Sequence, residues 1–284
     1  MEKLHKYIQK FIDQQIEFIE LNPENSVIPF KKNLNAQRRA ELSIAIREYD
    51  KAILMNPQDA SAYYNRGLIY SSQGDYEDAI KDFTRSLSID SHFQFVYIAR
   101  GDSYALQGSS EAAIADFKDA IAINPQNSTA FNGLGAAYRR QGDYQKALDN
   151  FSAALQLNPQ LAAAYYGRGL TYRMMRDNDR AIVDFTKSIE LNPSDDYSYN
   201  NRGIAYRSKN LLDNAIEDFN QAIALKPDDW FAYNNRGIAY RKKLEEERAA
   251  EDFQTAIDLC PNDFFAFYNL ANFRRYEGHY EQAI

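Results

Sequence analysis

The chain has 284 residues, of which 45% are hydrophobic and 26% are charged, and its formal net charge is −7. Such a composition supports a large buried core, whereas no apolar run is long enough to cross a membrane, and an acidic surface repels nucleic-acid phosphates. Cys260 is the one cysteine, which excludes an intramolecular disulfide and suits a reducing compartment. We therefore expect a soluble protein of the cytoplasm.

Residues 1–59 form a less regular region at the start of the chain. Apolar residues at helical spacing between Leu4 and Ile19 predict an amphipathic helix that ends near Pro23. A loop follows, and a second helix is predicted around Ala36–Met55. We interpret this region as an N-terminal helical cap with a degenerate repeat. An amphipathic helix that lies on a membrane surface is the alternative.

Residues 60–263 contain six units that repeat every 34 residues. Each unit has glycine at position 8, tyrosine at 11, alanine at 20 and phenylalanine at 24. Positions 4, 8 and 11 share one face of a first helix, and small residues at 8 and 20 let a second helix approach closely. Each unit is therefore predicted to be a helical hairpin. A proline at position 32 ends the second helix in five units, and Ser91 takes its place in the first. The prolines are Pro125, Pro159, Pro193, Pro227 and Pro261, and Pro57 lies on the same 34-residue grid before the first unit.

This pattern of an aromatic residue, glycine, tyrosine, alanine, phenylalanine and proline resembles the tetratricopeptide repeat family. The resemblance is complete over 60–263 and extends weakly into residues 264–284, which we interpret as a truncated seventh repeat. It implies an all-α fold, a right-handed superhelical α-solenoid of stacked helix-turn-helix repeats whose first helices line the concave side. A solenoid usually ends in a polar cap, so we expect the natural chain to continue past Ile284.

Position 7 is arginine in five units, and position 23 is aspartate in the same five units. The third unit has Leu134 and Asn150 instead. Because the two positions lie on facing helices, their joint presence and absence predicts an ion pair inside each hairpin. A ligand-binding role for these arginines is the alternative. The predicted pairs are Arg66–Asp82, Arg100–Asp116, Arg168–Asp184, Arg202–Asp218 and Arg236–Asp252.

A second series of arginines occupies position 12 from the third unit onward. In the family that this chain resembles, positions 5, 9 and 12 point into the concave groove, where a ladder of positive charge would focus its field on an acidic ligand. A solvated helix face is the alternative, since exposed charges contribute little individually. The series is Arg139, Arg173, Arg207, Arg241 and Arg275, with Arg140 and Lys242 at position 13.

Polar amides and aromatic residues are predicted to line the same groove. Asn200 and Asn234 at position 5 offer a donor and an acceptor to the backbone of an extended peptide. Aromatic residues at positions 2 and 5, which we expect to be partly exposed, would anchor apolar side chains of the ligand. These are Tyr166, Tyr197 and Phe231, and packing against the adjacent repeat is the alternative for them.

No constellation of residues for catalysis emerges from the sequence. The three histidines are far apart and lack the spacing of metal ligands, and there is no glycine-rich phosphate loop. The lysine and asparagine with which some family members hold the C-terminal carboxylate of heat-shock chaperones are also missing. We therefore predict no catalytic residue, no metal and no cofactor.

These patterns together predict a non-enzymatic scaffold that binds another protein or peptide, of acidic character, in its groove. We expect no nucleic-acid binding and no membrane insertion. Three alternatives stay open: the chain is the substrate-recruiting arm of a larger enzyme, it binds single-stranded RNA, or it associates with itself through the C-terminal repeat.

Overall fold

The computed structural model describes residues 36–261 and residues 267, 269 and 270, with side chains from Ala40 onward. The predicted first helix and Arg275 lie outside the described residues. Over the described range, helices are the regular secondary structure, and thirteen of them have defined bounds. They are α1 (Ala36–Met55), α2 (Ala60–Gln73), α3 (Tyr76–Ile89), α4 (Gln94–Gln107), α5 (Ser110–Ile123), α6 (Ser128–Gln141), α7 (Tyr144–Leu157), α8 (Ala162–Met174), α9 (Asn178–Leu191), α10 (Asp196–Ser208), α11 (Leu212–Leu225), α12 (Trp230–Lys242) and α13 (Glu246–Leu259).

The helices after α1 form the predicted hairpins, each with a first and a second helix. All twelve are 13 or 14 residues long. Each first helix packs on its own second helix in α2–α3, α4–α5, α6–α7, α10–α11 and α12–α13. The prediction of an all-α fold of stacked helical repeats is confirmed, and α1 has the bounds that the sequence predicted.

Contacts between residues divide the chain into two compact units, one ending at Gly167 and the other beginning at Arg168. Within each unit, a second helix packs against the first helix of the next hairpin. Successive first helices also contact each other directly, α2 with α4 and α4 with α6 in the first unit, and α10 with α12 in the second. Direct contact between first helices is expected where they line the inner side of a stack, because the inner helices lie closer together.

A phenylalanine at position 24 forms the centre of each hairpin. All six of these rings are at most 1% exposed. A Cβ atom on Gly203 would lie 2.7 Å from the Phe219 ring, and one on Gly67 would lie 2.7 Å from Phe83. The glycine at position 8 therefore lets the two helices approach as closely as the ring requires.

The turn between the two helices of each hairpin requires a left-handed residue at position 15. In the first unit this residue is glycine, at Gly74, Gly108 and Gly142. In the second unit the corresponding positions are Arg176, Asn210 and Leu244, with φ of 64°, 62° and 63°. A side chain in this conformation costs about 1–2 kcal/mol relative to a right-handed one, with asparagine the best tolerated. The turns of the second unit therefore hold strain that glycine would relieve.

The five predicted ion pairs inside the hairpins are all present. In each pair, Nε and Nη2 of the arginine donate to the two carboxylate oxygens of the aspartate, at 2.7–2.8 Å. In the third hairpin, Leu134 is buried and Asn150 donates to the carbonyl of Lys146. The structure thus confirms that arginine and aspartate at these positions are a structural unit.

In four of these pairs, those of Arg66, Arg100, Arg202 and Arg236, the arginine also donates to the preceding helix. Nη1 of Arg202, which does not contact Asp218, donates to the hydroxyl of Thr186 in the preceding second helix at 3.0 Å. Its guanidinium carbon lies 5.7 Å from the centre of the Tyr199 ring and 5.9 Å from that of Tyr206. The tyrosines at positions 4 and 11 therefore hold the guanidinium between two aromatic faces.

Candidate functional site

Three of the position-12 arginines lie in the second unit, each in the last turn of a first helix. Arg173 belongs to α8, Arg207 to α10 and Arg241 to α12, and all three are partly buried. Nη1 of Arg207 donates to the backbone carbonyl of Asn235 in the next first helix, at 3.4 Å. The guanidinium carbon of Arg241 lies 5.9 Å from the centre of the Phe253 ring.

Helix geometry separates these outer arginines from the inner ones. Arg202 and Arg207 are five residues apart in α10, which rotates their side chains by about 140° around the helix axis. Arg202 accordingly faces its second helix and pairs with Asp218, whereas Arg207 contacts the neighbouring first helix. The two arginines of one helix therefore serve two different surfaces.

The electrostatic environment of Arg207 is unusual for a partly buried cation. Burial, together with the charges of Arg173 and Arg241, lowers the pKa of its guanidinium to about 10. Burial also disfavours the charged form of Arg202, but its hydrogen bonds to Asp218 raise the pKa of Arg202 above the ordinary value. Arg207 thus stands in a cluster of positive charge, in contrast to the ion-paired Arg202.

The other basic residues predicted for the groove differ from one another. Arg139 belongs to the first unit and is only 3% exposed, so its guanidinium is not presented to solvent as an open ladder requires. Arg140 is partly buried and Lys242 is exposed. Arg275 lies outside the described residues. The repeat position by itself therefore does not determine the exposure of these side chains.

The two asparagines predicted to contact a peptide are buried between first helices. Asn200 is 2% exposed and accepts a hydrogen bond from Asn235 at 3.4 Å, and Asn234 is 4% exposed and accepts one from Asn269 at 2.9 Å. These two side-chain oxygens therefore accept hydrogen bonds that connect neighbouring first helices. We expected these side chains to face a ligand, but in the structure they face the next first helix. The reason is that an amide at position 5 pairs with an amide at position 6 of the next repeat.

The three predicted aromatic residues have three different environments. Tyr166 is 3% exposed, so the expectation of partial exposure was wrong for it. Tyr197 is partly buried and its hydroxyl accepts a hydrogen bond from Lys226 at 3.2 Å. Phe231 is 41% exposed and packs edge-on against Trp230, with ring centres 5.6 Å apart. Phe231 is therefore the one of the three with a largely exposed apolar ring.

Sequence reasoning missed a group of carboxylates at the opposite ends of the same first helices. Asp195 and Asp229 precede α10 and α12 as N-caps, and Asp196 is the first residue of α10. The pKa of Asp196 is raised to about 6, mainly by burial; the charge of Lys226 opposes the rise, and the charges of Asp195 and Asp229 contribute to it. The recurrence of aspartate at position 34 was the available signal.

The described residues contain neither a candidate metal site nor a candidate membrane-spanning helix. No group of three or more His, Cys, Asp or Glu side chains there is arranged to hold a metal ion. None of the described helices is sufficiently long and apolar to span a bilayer.

Known sequence patterns match the chain repeatedly. The pattern described as tetratricopeptide repeat matches residues 60–93, 128–161, 162–195, 197–229 and 230–263. A pattern described as TPR repeat matches residues 41–74 and 101–142, and a further tetratricopeptide repeat pattern matches residues 253–284. No curated protein matches the chain.

Several solved structures share this fold at low sequence identity. One is the APC/C hetero-tetramer Cut9-Hcn1, at 18% identity and a TM-score of 0.74, matching 94% of this chain and 52% of that one. The chain thus spans about half the length of that relative. Another is a tetratricopeptide repeat protein from Parabacteroides merdae ATCC 43184, at 21% identity and a TM-score of 0.66, matching 94% and 99% of the two chains.

A third is YrrB, described as a TPR protein with an unusual peptide-binding site, at 24% identity and a TM-score of 0.53, matching 65% of this chain and 95% of that one. These likenesses agree with the stacked hairpins described above. The tetratricopeptide repeat pattern itself matches more than half of the residues. The chain belongs to the tetratricopeptide repeat family.

Proposed function

We propose that the chain is a protein-interaction scaffold that binds an acidic segment of a partner protein along its first helices. Family membership supports the general role of a protein–protein interaction scaffold. The acidic character of the ligand rests on Arg207, a partly buried guanidinium that donates to the carbonyl of Asn235 and whose pKa is lowered by burial and by the charges of Arg173 and Arg241. An anion that binds beside partly desolvated like charges stabilises them.

The contrast with the inner arginines supports this proposal. The position-7 arginines are each neutralised by a bidentate aspartate, as in Arg202–Asp218 and Arg236–Asp252. The aspartate compensates the charge of each of these arginines, so the pair attracts an external anion only weakly. At position 12, by contrast, Arg207 is affected by the positive charges of Arg173 and Arg241, in a protein whose net charge is −7. Exposed Lys242 extends this charge on α12.

An apolar anchor in the first turn of α12, about 15 Å along the helix from Arg241, extends the proposed surface. Phe231 belongs to α12, the helix that also carries Arg241, and it is exposed in part. Aromatic anchors contribute strongly to interfaces when a partner covers them. We propose that the partner segment combines acidic residues for the arginines with an apolar residue for Phe231.

The remaining parts of the proposal concern activity and location. We propose that the chain itself is not catalytic, as is general for this family, and that it acts in the cytoplasm. The free thiol of Cys260, the one cysteine of the chain, is compatible with a reducing compartment.

A pull-down with charge-neutral variants tests the proposed function. The variant Arg173→Gln, Arg207→Gln, Arg241→Gln removes three positive charges and keeps a shorter, neutral polar side chain at each position. A matched control removes three charges from second helices, by Lys81→Gln, Lys118→Gln and Arg248→Gln, all exposed positions. Both variants are first checked for wild-type helicity by circular dichroism.

We expect the wild type and the control to retain the same partners from a lysate of the source cells, and the cluster variant to lose the acidic ones. Salt is expected to elute those partners, since the Debye length falls to about 3 Å at 1 M salt. Retention of all partners by the cluster variant would contradict the proposal.

A further inference from the structure

The turns inside the hairpins of the second unit carry exposed apolar side chains, in contrast to the turns of the first unit. The described turns of the second unit join α8 to α9, α10 to α11 and α12 to α13. In the first unit, positions 14, 15 and 16 of each turn are glutamine, glycine and either aspartate or serine. We call the apolar row in the second unit the turn edge, and its members are Met174 (45% exposed), Met175 (44%), Leu211 (43%) and Leu244 (80%).

Two members of the turn edge occupy positions where the fold favours other residues. Leu244 has a φ of 63°, which glycine adopts without strain. Leu211 is the N-cap residue of α11 and forms no capping hydrogen bond, whereas Asp143 and Asp177 at the same repeat position each accept one from a backbone amide. Both leucines are exposed, so burial within the chain offsets little of this cost. An exposed apolar surface that is kept against local preference is typical of a site that a partner covers.

Ion pairs connect the successive turns of this edge. Lys209 of the second turn donates to Asp179 of α9. Lys243 of the third turn donates to Asp213 of α11 at 2.6 Å. The two aspartate side chains remain 78% and 87% exposed, so the negative ends of these pairs are accessible. The pairs therefore hold the three turns side by side and leave both signs of charge at the surface.

The charges along the turn edge are balanced. Positions 13 to 19 of the three turns, which are residues 174–180, 208–214 and 242–248, contain six basic and six acidic residues. A nucleic acid or an acidic segment would require an excess of positive charge, and a basic segment an excess of negative charge. An apolar surface that carries both signs in equal number is instead complementary to a second copy of itself.

We propose that the turn edge is a self-association surface, on which a second copy of this chain packs in an antiparallel arrangement. A two-fold axis through the middle turn brings Leu211 of one copy against Leu211 of the other. It also brings Leu244 of each copy against Met174 and Met175 of the other, and the charges of the first turn face those of the third. The same patch is used on both copies, so the contact closes at a dimer. Removal of these apolar side chains from water drives the association.

Sedimentation equilibrium of the full chain over a range of concentrations tests the inference. Four exposed apolar side chains per copy make a small interface, so we expect a dissociation constant in the micromolar range. The average mass should rise from that of a monomer towards that of a dimer between about 1 and 100 μM.

Two single variants, Leu211→Asp and Leu244→Gly, assign the association to the turn edge. Each introduces a residue type that the turns of the first unit have at the same position. Both are expected to raise the dissociation constant at least about tenfold, because an apolar side chain is lost from the centre or the side of the contact. Aspartate can cap α11, and glycine relieves the strained φ, so the unfolding midpoint at about 1 μM should stay equal or rise. Loss of association would then not result from loss of folding.

Val183→Asp is the matched control for these variants. Val183 is a 67% exposed apolar residue in the middle of α9, away from the turns. Its replacement also removes an exposed apolar side chain and adds a negative charge. We expect the dissociation constant to change by less than about twofold, since the side chain lies outside the proposed contact.

Cysteine substitutions test the two-fold arrangement. In the background Cys260→Ser, Leu211→Cys is expected to form a disulfide between two copies in the presence of oxidised glutathione. A disulfide requires Cα atoms within about 7 Å, which the two-fold axis at this residue provides. Val183→Cys in the same background is expected to remain a monomer on a non-reducing gel.

A wild-type chain that stays monomeric up to about 100 μM would overturn the inference, and the turn edge would then belong to a different partner. A dimer that neither Leu211→Asp nor Leu244→Gly weakens would overturn it as well, as would equal cross-linking of Leu211→Cys and Val183→Cys. The triple glutamine variant of the proposed function leaves the turn edge unchanged, so the two proposals stand or fall separately.

Discussion

Removal of one carboxylate from an inner ion pair should destabilise the second unit strongly. In Asp218→Ala, the guanidinium of Arg202 loses two hydrogen bonds of 2.8 and 2.7 Å and keeps the one to Thr186. The side chains of Arg202 and Asp218 are 17% and 5% exposed, so the remaining charge stays largely desolvated. Breaking a buried pair in this way costs about 3–5 kcal/mol. Because Arg202 keeps some exposure and one partner, we expect a loss of about 3 kcal/mol.

The third hairpin supplies a matched control for this prediction. There the same two positions are occupied by Leu134 and Asn150. The double variant Arg202→Leu, Asp218→Asn introduces the residues of the third hairpin at these two positions and leaves no unpaired charge. Replacing a buried ion pair by residues of similar volume is often nearly neutral, so we expect the double variant to recover most of the stability that Asp218→Ala loses.

Urea denaturation followed by the fluorescence of Trp230 measures both variants. Trp230 is the one tryptophan of the chain and lies in the same unit as Asp218, so its emission reports on that unit. Binding of the partner, measured well below the transition, should stay unchanged in Asp218→Ala. A loss below about 1 kcal/mol in the single variant, or an equal loss in the double variant, would refute the reasoning, since an uncompensated charge would then not be the cause.

Three further predictions concern the stability of the second unit, the first two measured by urea denaturation and the third by thermal unfolding. Gly203→Ala places a methyl group 2.7 Å from the Phe219 ring and should cost about 1–3 kcal/mol, whereas a neutral result would show that the ring moves freely. Leu244→Gly should be more stable than Leu244→Ala by about 1 kcal/mol, because glycine adopts φ of 63° without strain; equal stability would argue against strain in this turn. The pKa of Asp196 is raised by burial from 3.8 to about 6, so the folded state binds this proton more tightly than the unfolded state and stability falls as pH rises through that range. Asp196→Asn should therefore raise the melting temperature at pH 7.5 and not at pH 4, and an unchanged pH profile would contradict this.

The sequence by itself determined the fold and its internal ion pairs. Helical hairpins follow from local spacing, because residues at i, i+4 and i+7 share a face whatever the rest of the chain does. The joint loss of arginine and aspartate in the third hairpin, at Leu134 and Asn150, identified the pairs because both partners lie within one hairpin. Contacts within one repeat can therefore be predicted from the residues that recur at its fixed positions.

Only the tertiary structure decided which groove residues are accessible. Arg139 and Arg207 occupy the same repeat position, yet the structure leaves Arg139 only 3% exposed and Arg207 partly buried in a positive cluster. Asn200 and Tyr166 proved to be buried for the same kind of reason. The exposure and pKa of a side chain at a given position depend on how closely the neighbouring first helices approach and on which side chains they bring. That distance is set by packing between repeats, which the 34-residue period does not encode.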